Sequence, residues 1–261
     1  MSAPGRPELL TVEEVSLRFG GVKALTGVSF TVAQSEVFAI IGPNGAGKTS
    51  IFNVITRVFD SDTGRIMMDG EDITGIARHA VVHRGIARTF QNIELFEHAT
   101  VIENLLVGRH RQPGPGFLAE LWNAPSVRRA EAVHRERVED IIDLLDLAPY
   151  RRSLAGGLPY GVRKMVELAR ALSAEPKLLL LDEPASGLNP EETHDLSFWI
   201  DDIRNDLGVT VLMIEHDMSL VAEVADRVLV MNQGEVLALG TPAAVRADPA
   251  VALAYLGTNP V

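Results

Sequence analysis

Between the apolar run EVFAII (36–41) and the amphipathic run SIFNVITRVF (50–59) lies GPNGAGKT, residues 42–49, which fits the spacing G-x-x-x-x-G-K-[ST]. Glycines spaced this way let successive backbone N–H groups converge on phosphate oxygens, and the positive end of a following helix adds its attraction. The expected nucleotide contacts are Gly42, Pro43, Asn44, Gly45, Ala46, Gly47, Lys48, Thr49 and Ser50. Lys48 should reach the β- and γ-phosphates, and Thr49 should offer its hydroxyl to Mg²⁺. Because Mg²⁺ wants carboxylate or water oxygens, a second ligand is expected at the end of a neighbouring buried strand. Asp182, after four consecutive leucines, meets that need. Glu183, one residue on, can point another way and activate a water as general base. His216 follows VTVLMI, where an imidazole can donate to the γ-phosphate or hold the attacking water. The bland alternatives are that Glu183 only opens a capping turn before Pro184 and that His216 is structural. Against them, two carboxylates behind an apolar strand are costly without a task. Together these residues imply Mg²⁺-dependent hydrolysis of a nucleoside triphosphate.

The elements that must hold them follow from periodicity. LTVEEVSLRF (10–19) and LTGVSFTV (25–32) alternate as half-buried antiparallel strands do, EVFAII is a fully buried strand, and SIFNVITRVF continues as a helix. GRIMMDG (64–70) is a further strand closed by an Asp-Gly turn. Thr100 and Glu103 form a capping box for the helix VIENLLVGRH, and a polar-faced helix is expected from about Ser126 to Leu147, with Val138, Ile141, Ile142 and Leu145 on its apolar stripe. Strand–helix alternation then returns in KLLLLDEP, PEETHDLSFWIDDIRNDL, VTVLMIEHD and LVAEVADRV. RVLVMNQGEVLALG reads as a hairpin around Asn232-Gln233-Gly234, and Thr241-Pro242 caps a helical tail. The pattern predicts an α/β P-loop NTPase with an N-terminal antiparallel β subdomain and a helical insert. Its expected parts are residues 1–91 (antiparallel lead-in and phosphate loop), 92–175 (helical subdomain), 176–240 (second part of the core) and 241–261 (tail).

Composition narrows the partners. With 261 residues, 46% hydrophobic content and no cysteine, the chain can bury a sizeable core and has no thiol chemistry. A formal charge of −11 argues against binding nucleic acid through its phosphates. The basic residues at 109–111 and 128–137 are interrupted by glutamates and read as a solvated helix surface. No run of about 18 apolar residues is present to span a bilayer, and MSAPGRPELL shows no secretory signal.

These residues collectively resemble the ATP-binding subunit of ABC transporters, from about Leu10 to Leu256. The resemblance implies that Phe19 stacks on adenine, that Gln91 in RTFQN senses Mg²⁺ and water and couples to the membrane partner, and that Asn189 in ASGLNP holds the D-loop position usually filled by aspartate. His216 matches the switch histidine. Two glycine turns compete for the signature motif, LAGG (154–157) and LPYGV (158–162). In the family the signature leucine stands eight positions before the first apolar residue of the following helix, here Val166, so Leu158, Pro159, Tyr160, Gly161 and Val162 are the signature and LAGG is linker. Pro159 replaces the usual serine, while Gly161 leaves N–H donors at the start of an expected Val162–Leu172 helix. The tyrosine-glycine signature, GLNPEET, IEHDMSLV and the ending GTPAAVRADPAVALAYLG further resemble the LivG-type subunit of branched-chain amino acid importers. Urea and short-chain amide importers have related ATPases. The implied assembly has a second ATP-binding subunit, either a copy or a sister, two integral membrane permeases and, indirectly, a substrate-binding protein, with no nucleic acid. It sits as a peripheral protein on the cytoplasmic face of the membrane. A DNA- or ribosome-associated relative would carry a coiled-coil insert or a second cassette, and a small-molecule kinase would give no reason for the signature helix.

Overall fold

The computed structural model of the chain describes residues 6–89, 93–109 and 125–256. Strands β1 (Glu8–Phe19), β2 (Val22–Ala33), β4 (Thr63–Met68) and β5 (Glu71–Asp72) form an antiparallel sheet in the order β2-β1-β4-β5. In β1 the inward positions are Leu10 and Val12, then Val15 and Leu17, so the alternation changes parity. An irregular register between Val12 and Val15, with Glu14 at φ 48°, absorbs the odd residue and keeps both halves of the strand facing one core.

The second sheet has the order β10-β9-β3-β8-β7-β6. Strands β3 (Val37–Ile41), β6 (Ile86–Arg88), β7 (Leu178–Asp182), β8 (Thr210–Ile214) and β9 (Arg227–Asn232) run parallel, and β10 (Glu235–Gly240) closes the hairpin on β9. Their continuous apolar runs are explained by burial on both faces. Phe38, Ile40, Leu178, Leu180, Leu212 and Ile214 join β1, β2 and helix α1 (Lys48–Ile55) in one core. The alternate residues Ala39, Ile41, Leu179, Leu181, Val211 and Met213 pack against the helices of the other side. These are α3 (Val101–Gly108), α4 (Pro125–Leu144), α5 (Tyr160–Leu172), α6 (Pro190–Asn205), α7 (Met218–Val224), α8 (Pro242–Ala247) and α9 (Pro249–Leu256). A short α2 (Arg78–Val81) precedes β6. No helix among the described residues is long and apolar enough to cross a membrane.

Several boundaries depart from the periodic reading. Helix α1 stops at Ile55 because Arg57 turns left-handed at φ 58°, and the N–H groups of Val58 and Phe59 fold back onto the Asn53 carbonyl. Helix α5 begins at Tyr160, two residues before the expected Val162. Pro159 supplies the extended N-cap conformation (φ −53°, ψ 153°), where a missing N–H costs nothing. Helix α7 ends at Val224, since Arg227 already belongs to β9. The box at Thr100 and Glu103 forms as read, and Val138, Ile141, Ile142 and Leu145 are buried.

Candidate functional site

The parallel strands bring their carboxyl ends to one edge of the sheet. Register pairs Ile40 with Ile214, Asp182 with Ile214 and Arg88 with Leu180, so the loop after β3, His216 after β8, Asp182 on β7 and Arg88 on β6 are neighbours in that order. Outside such strand ends, at a reversal of strand order, is where open α/β sheets bind ligands.

Two glycines of the loop are required by space as well as by conformation. Gly42 lies at φ 147° and a Cβ there would overlap the Met231 carbonyl oxygen, while Gly47 lies at φ 98° with a would-be Cβ 2.6 Å from the Ala24 carbonyl. Asn44 and Gly45 are exposed at the tip, Pro43 is half-buried and Ala46 is buried. Lys48 is buried and its ammonium donates to the carbonyls of Gly42 (2.7 Å) and Pro43 (3.1 Å). Burial lowers the pKa of Lys48, and the charges of Glu183 and Asp182 partly offset that. Thr49 is exposed and Ser50 half-buried in the first turn of α1, whose start carries no side-chain cap. By contrast α3, α6, α7 and α8 are capped by Thr100, Asn189, Asp217 and Thr241. A loop built for backbone amides, ending on an uncapped helix with a lysine at its base, fits a phosphate chain.

Asp182 is buried and paired with Arg88, Nη2 to Oδ2 at 2.7 Å; the same guanidinium donates to Asn53 Oδ1 at 2.7 Å and lies over the Phe52 ring. Glu183 adopts φ 51°, donates its N–H to the Ile214 carbonyl, and holds His216 Nε2 at 2.8 Å from its Oε1. The strained φ of a non-glycine residue is what an over-determined site permits. Glu215, buried beneath, accepts from the N–H groups of Ala185 (2.7 Å), His216 (2.8 Å) and Asp217 (3.2 Å), tying the turn after β7 to the one after β8. Thr49 and Asp182 provide hard oxygen donors. Among the described residues no group of three acidic, histidine or cysteine side chains could enclose an ion by itself. Such a donor set suits Mg²⁺ that completes its shell with phosphate and water oxygens.

Phe19 ends β1, 44% exposed, with its ring 5.0 Å from that of Phe59 in an edge-on contact. Its hairpin reaches the loop through Ala24, whose carbonyl abuts Gly47 and Gly234. Gln91 lies outside the described residues. Asn189 caps α6 in a reciprocal box with Glu192. At the start of α5, Leu158 and Val162 are half-buried and Pro159 and Tyr160 exposed. Gly161 is buried, and a Cβ on it would overlap the Glu192 carboxylate. A side chain at position 161 would therefore point at α6 of the same chain, not at a phosphate lying off the start of α5. Gly156 donates its N–H to the Glu97 carbonyl at 3.0 Å, and Gly157 ends a short turn with no atom within 4 Å of its would-be Cβ.

Four participants escape a reading by motif. Arg88 sits on a three-residue strand too short for periodicity to find, and Phe59 lies past a helix end that the sequence places too late. Glu215 was legible only as the neighbour of His216. Tyr255 comes from the tail, 37% exposed: partial desolvation raises the pKa of its phenol, and a hydrogen bond with the Gly42 backbone partly offsets this.

A family model described as ABC transporter matches residues 25–186, and one described as branched-chain amino acid ATP-binding cassette transporter matches 235–260. The chain is 44% identical to the high-affinity branched-chain amino acid transport ATP-binding protein BraF of Pseudomonas aeruginosa, over 95% of this chain and 98% of that one. Over the same shares it is 41% identical to LivG, of the same description, from Escherichia coli K12. Among solved structures it is similar to a nucleotide-free ATP-binding cassette from an ABC transporter, at 36% identity and TM-score 0.82 over 95% of this chain and 98% of that one. An ADP-bound conformation of a cassette matches at 36% identity and TM-score 0.83, over 96% and 99%.

Proposed function

This chain belongs to the ABC transporter family of ATP-binding proteins, and from that premise we propose that it is the Mg²⁺-dependent ATPase subunit of an importer of branched-chain amino acids. The observation that carries the hydrolytic part is the convergence of Lys48, Asp182, Glu183 and His216 on adjoining ends of β3, β7 and β8. Its likeness to BraF and LivG over nearly the whole chain supports the substrate class.

In this reading the loop amides and Lys48 bind the β- and γ-phosphates. Lys48 exchanges its carbonyl partners for phosphate oxygens, which favours the charged form that burial opposes. Thr49 and Asp182 would hold Mg²⁺, which would supply neutralisation of phosphate charge. Arg88, 2.7 Å from the Asp182 carboxylate, would keep that side chain oriented as it did so. Glu183 takes the proton of the attacking water, and His216, already 2.8 Å from Glu183, orients that carboxylate and faces the γ-phosphate side. Phe19 offers a stacking face for adenine, and the start of α5 contacts the nucleotide of a second ATP-binding subunit, whether a copy or a sister. Gln91 and the segment NIELFEHATVIENLL after it couple to two permeases, with the chain on the cytoplasmic face of the membrane.

The test is purification with the bound membrane subunits, reconstitution into vesicles, and measurement of phosphate release and of uptake of labelled leucine, valine, urea and acetamide. Uptake of leucine and valine that needs both ATP and Mg²⁺ is expected. Hydrolysis stimulated only by urea or the amide would move the substrate assignment while leaving the ATPase intact, and no hydrolysis in the complete assembly would overturn both.

A further inference from the structure

Lys164 is a buried cation that the hydrolytic reading leaves without a task. It lies on α5 one turn beyond Tyr160, is 8% exposed, and its ammonium donates to the carbonyls of Glu183 (3.1 Å) and Pro184 (3.0 Å). The Tyr160 ring centroid is 5.7 Å away. Burying an ammonium is costly, and a methionine of similar length would fill the same space without that cost, so the hydrogen bonds it makes need a reason.

The turn it holds supplies one. Glu183 sits at φ 51°, a left-handed conformation that a non-glycine residue keeps only where the surroundings fix it. From the core side, the Ile214 carbonyl accepts the N–H of Glu183 and the Glu215 carboxylate accepts that of Ala185. From α5, Lys164 binds the two carbonyls between those points, and the Tyr160 ring covers Gly187, where a Cβ would lie 2.8 Å from Cε1. The Tyr160 hydroxyl donates to the Ser186 carbonyl at 3.4 Å. The turn that carries Glu183 is thus clamped between β8 and the first two turns of α5.

We infer that Lys164 is a positioning residue for Glu183: it fixes that residue's backbone and makes the general base move with the start of α5. The inference rests on Glu183 acting as base in the reading above. It follows that a shift of α5 imposed by a nucleotide at its N-terminus is delivered to the Glu183 of the same chain, which serves that chain's own phosphate loop.

The test uses Lys164→Met and Lys164→Gln in the full chain within the complete assembly. Lys164→Met should lower kcat at least tenfold with KM for ATP and nucleotide affinity within twofold. Lys164→Gln, which keeps a donor without the charge, should recover at least threefold of that loss. Without nucleotide, amide exchange in a peptide covering 178–190 should rise at least tenfold in the Met variant while the phosphate-loop peptide is unchanged. Adding Lys164→Met to Glu183→Gln should leave the residual rate within twofold, because the group being positioned is already gone. A kcat within twofold of the parent, unchanged exchange, a parallel rise in KM, or a multiplicative loss in the double variant would each overturn the inference. Should Lys164→Met fail to fold, Lys164→Gln carries the same comparisons, with a kcat reduced at least threefold required. Full turnover by Glu183→Gln alone would overturn the base assignment and this inference together, whereas an unaffected Lys164→Met beside an inactive Glu183→Gln would overturn this inference only.

Discussion

Glu183 is held at its backbone by β8 and α5 and at its carboxylate by His216, so changing its carboxylate to an amide alters chemistry more than shape. Glu183→Gln should keep ATP affinity and lower kcat by about 10²- to 10⁴-fold, the range a positioned general base supplies. Phosphate release together with retained nucleotide checks it, and near-parental turnover would exclude Glu183 as the base. A second residue-scale contrast concerns the two glycine turns. Gly161→Asp places a carboxylate against that of Glu192 and breaks the cap on α6, at a cost of about 1–2 kcal/mol. Gly157→Asp enters open space and should stay within about 0.5 kcal/mol. Urea denaturation of both variants measures the difference, and equal effects would show that position 161 does not meet α6.

At the scale of elements, the joint between the starts of β3 and β9 rests on a buried ion pair. Glu36, 0% exposed, accepts the Ala33 N–H and lies 3.1 Å from Arg227 Nη1, whose guanidinium packs over Phe38. Burial raises the Glu36 pKa from its ordinary 4.5, and Asp226 adds to this, against the lowering by Ala33 and Arg227. Arg227→Met keeps the packing but removes the compensating charge, which should cost about 3–5 kcal/mol at neutral pH. The sign of its pH dependence follows from proton uptake on folding. With the folded pKa above the unfolded one, stability is fully present below pH 4.5 and is lost as pH rises through the folded value. The variant pushes that value further up, so its deficit should shrink between pH 7 and pH 5. Denaturant midpoints at the two pH values test this, and a constant deficit would show that Glu36 does not titrate in that window.

For the whole molecule, the membrane contact proposed above can be tested at the exposed apolar residues of the helical segment. Phe96 is 55% and Leu154 54% exposed, and the Thr100–Leu154 bridge and the Ala155-to-Ala99 hydrogen bond place the segments that carry them side by side. Single large apolar residues on a surface are ordinary, but two on adjoining segments suit a protein contact. Phe96→Ser with Leu154→Ser should leave nucleotide affinity within twofold and reduce uptake at least tenfold in vesicles. Normal uptake by that pair would move the membrane contact elsewhere.

The chemistry-bearing motifs and most elements were legible because they are local. The GPNGAGKT loop, the buried runs before Asp182 and His216, and the capping boxes depend on spacing along the chain and on apolar periodicity, both written in sequence. Strand order was not, because pairing in a parallel sheet joins residues from about thirty to more than 170 positions apart. Val37 meets Val211, and Leu178 meets Thr210 beside Ile86. That order alone put Arg88 on Asp182, His216 on Glu183 and Glu215 beneath both turns. It also decided what a glycine faces: sequence register selected Gly161, yet only packing against α6 showed that the space beyond it belongs to Glu192. Local pattern names the groups able to bind and hydrolyse a nucleotide, whereas long-range burial fixes which of them touch, because each side chain's direction is set by the element packed against it.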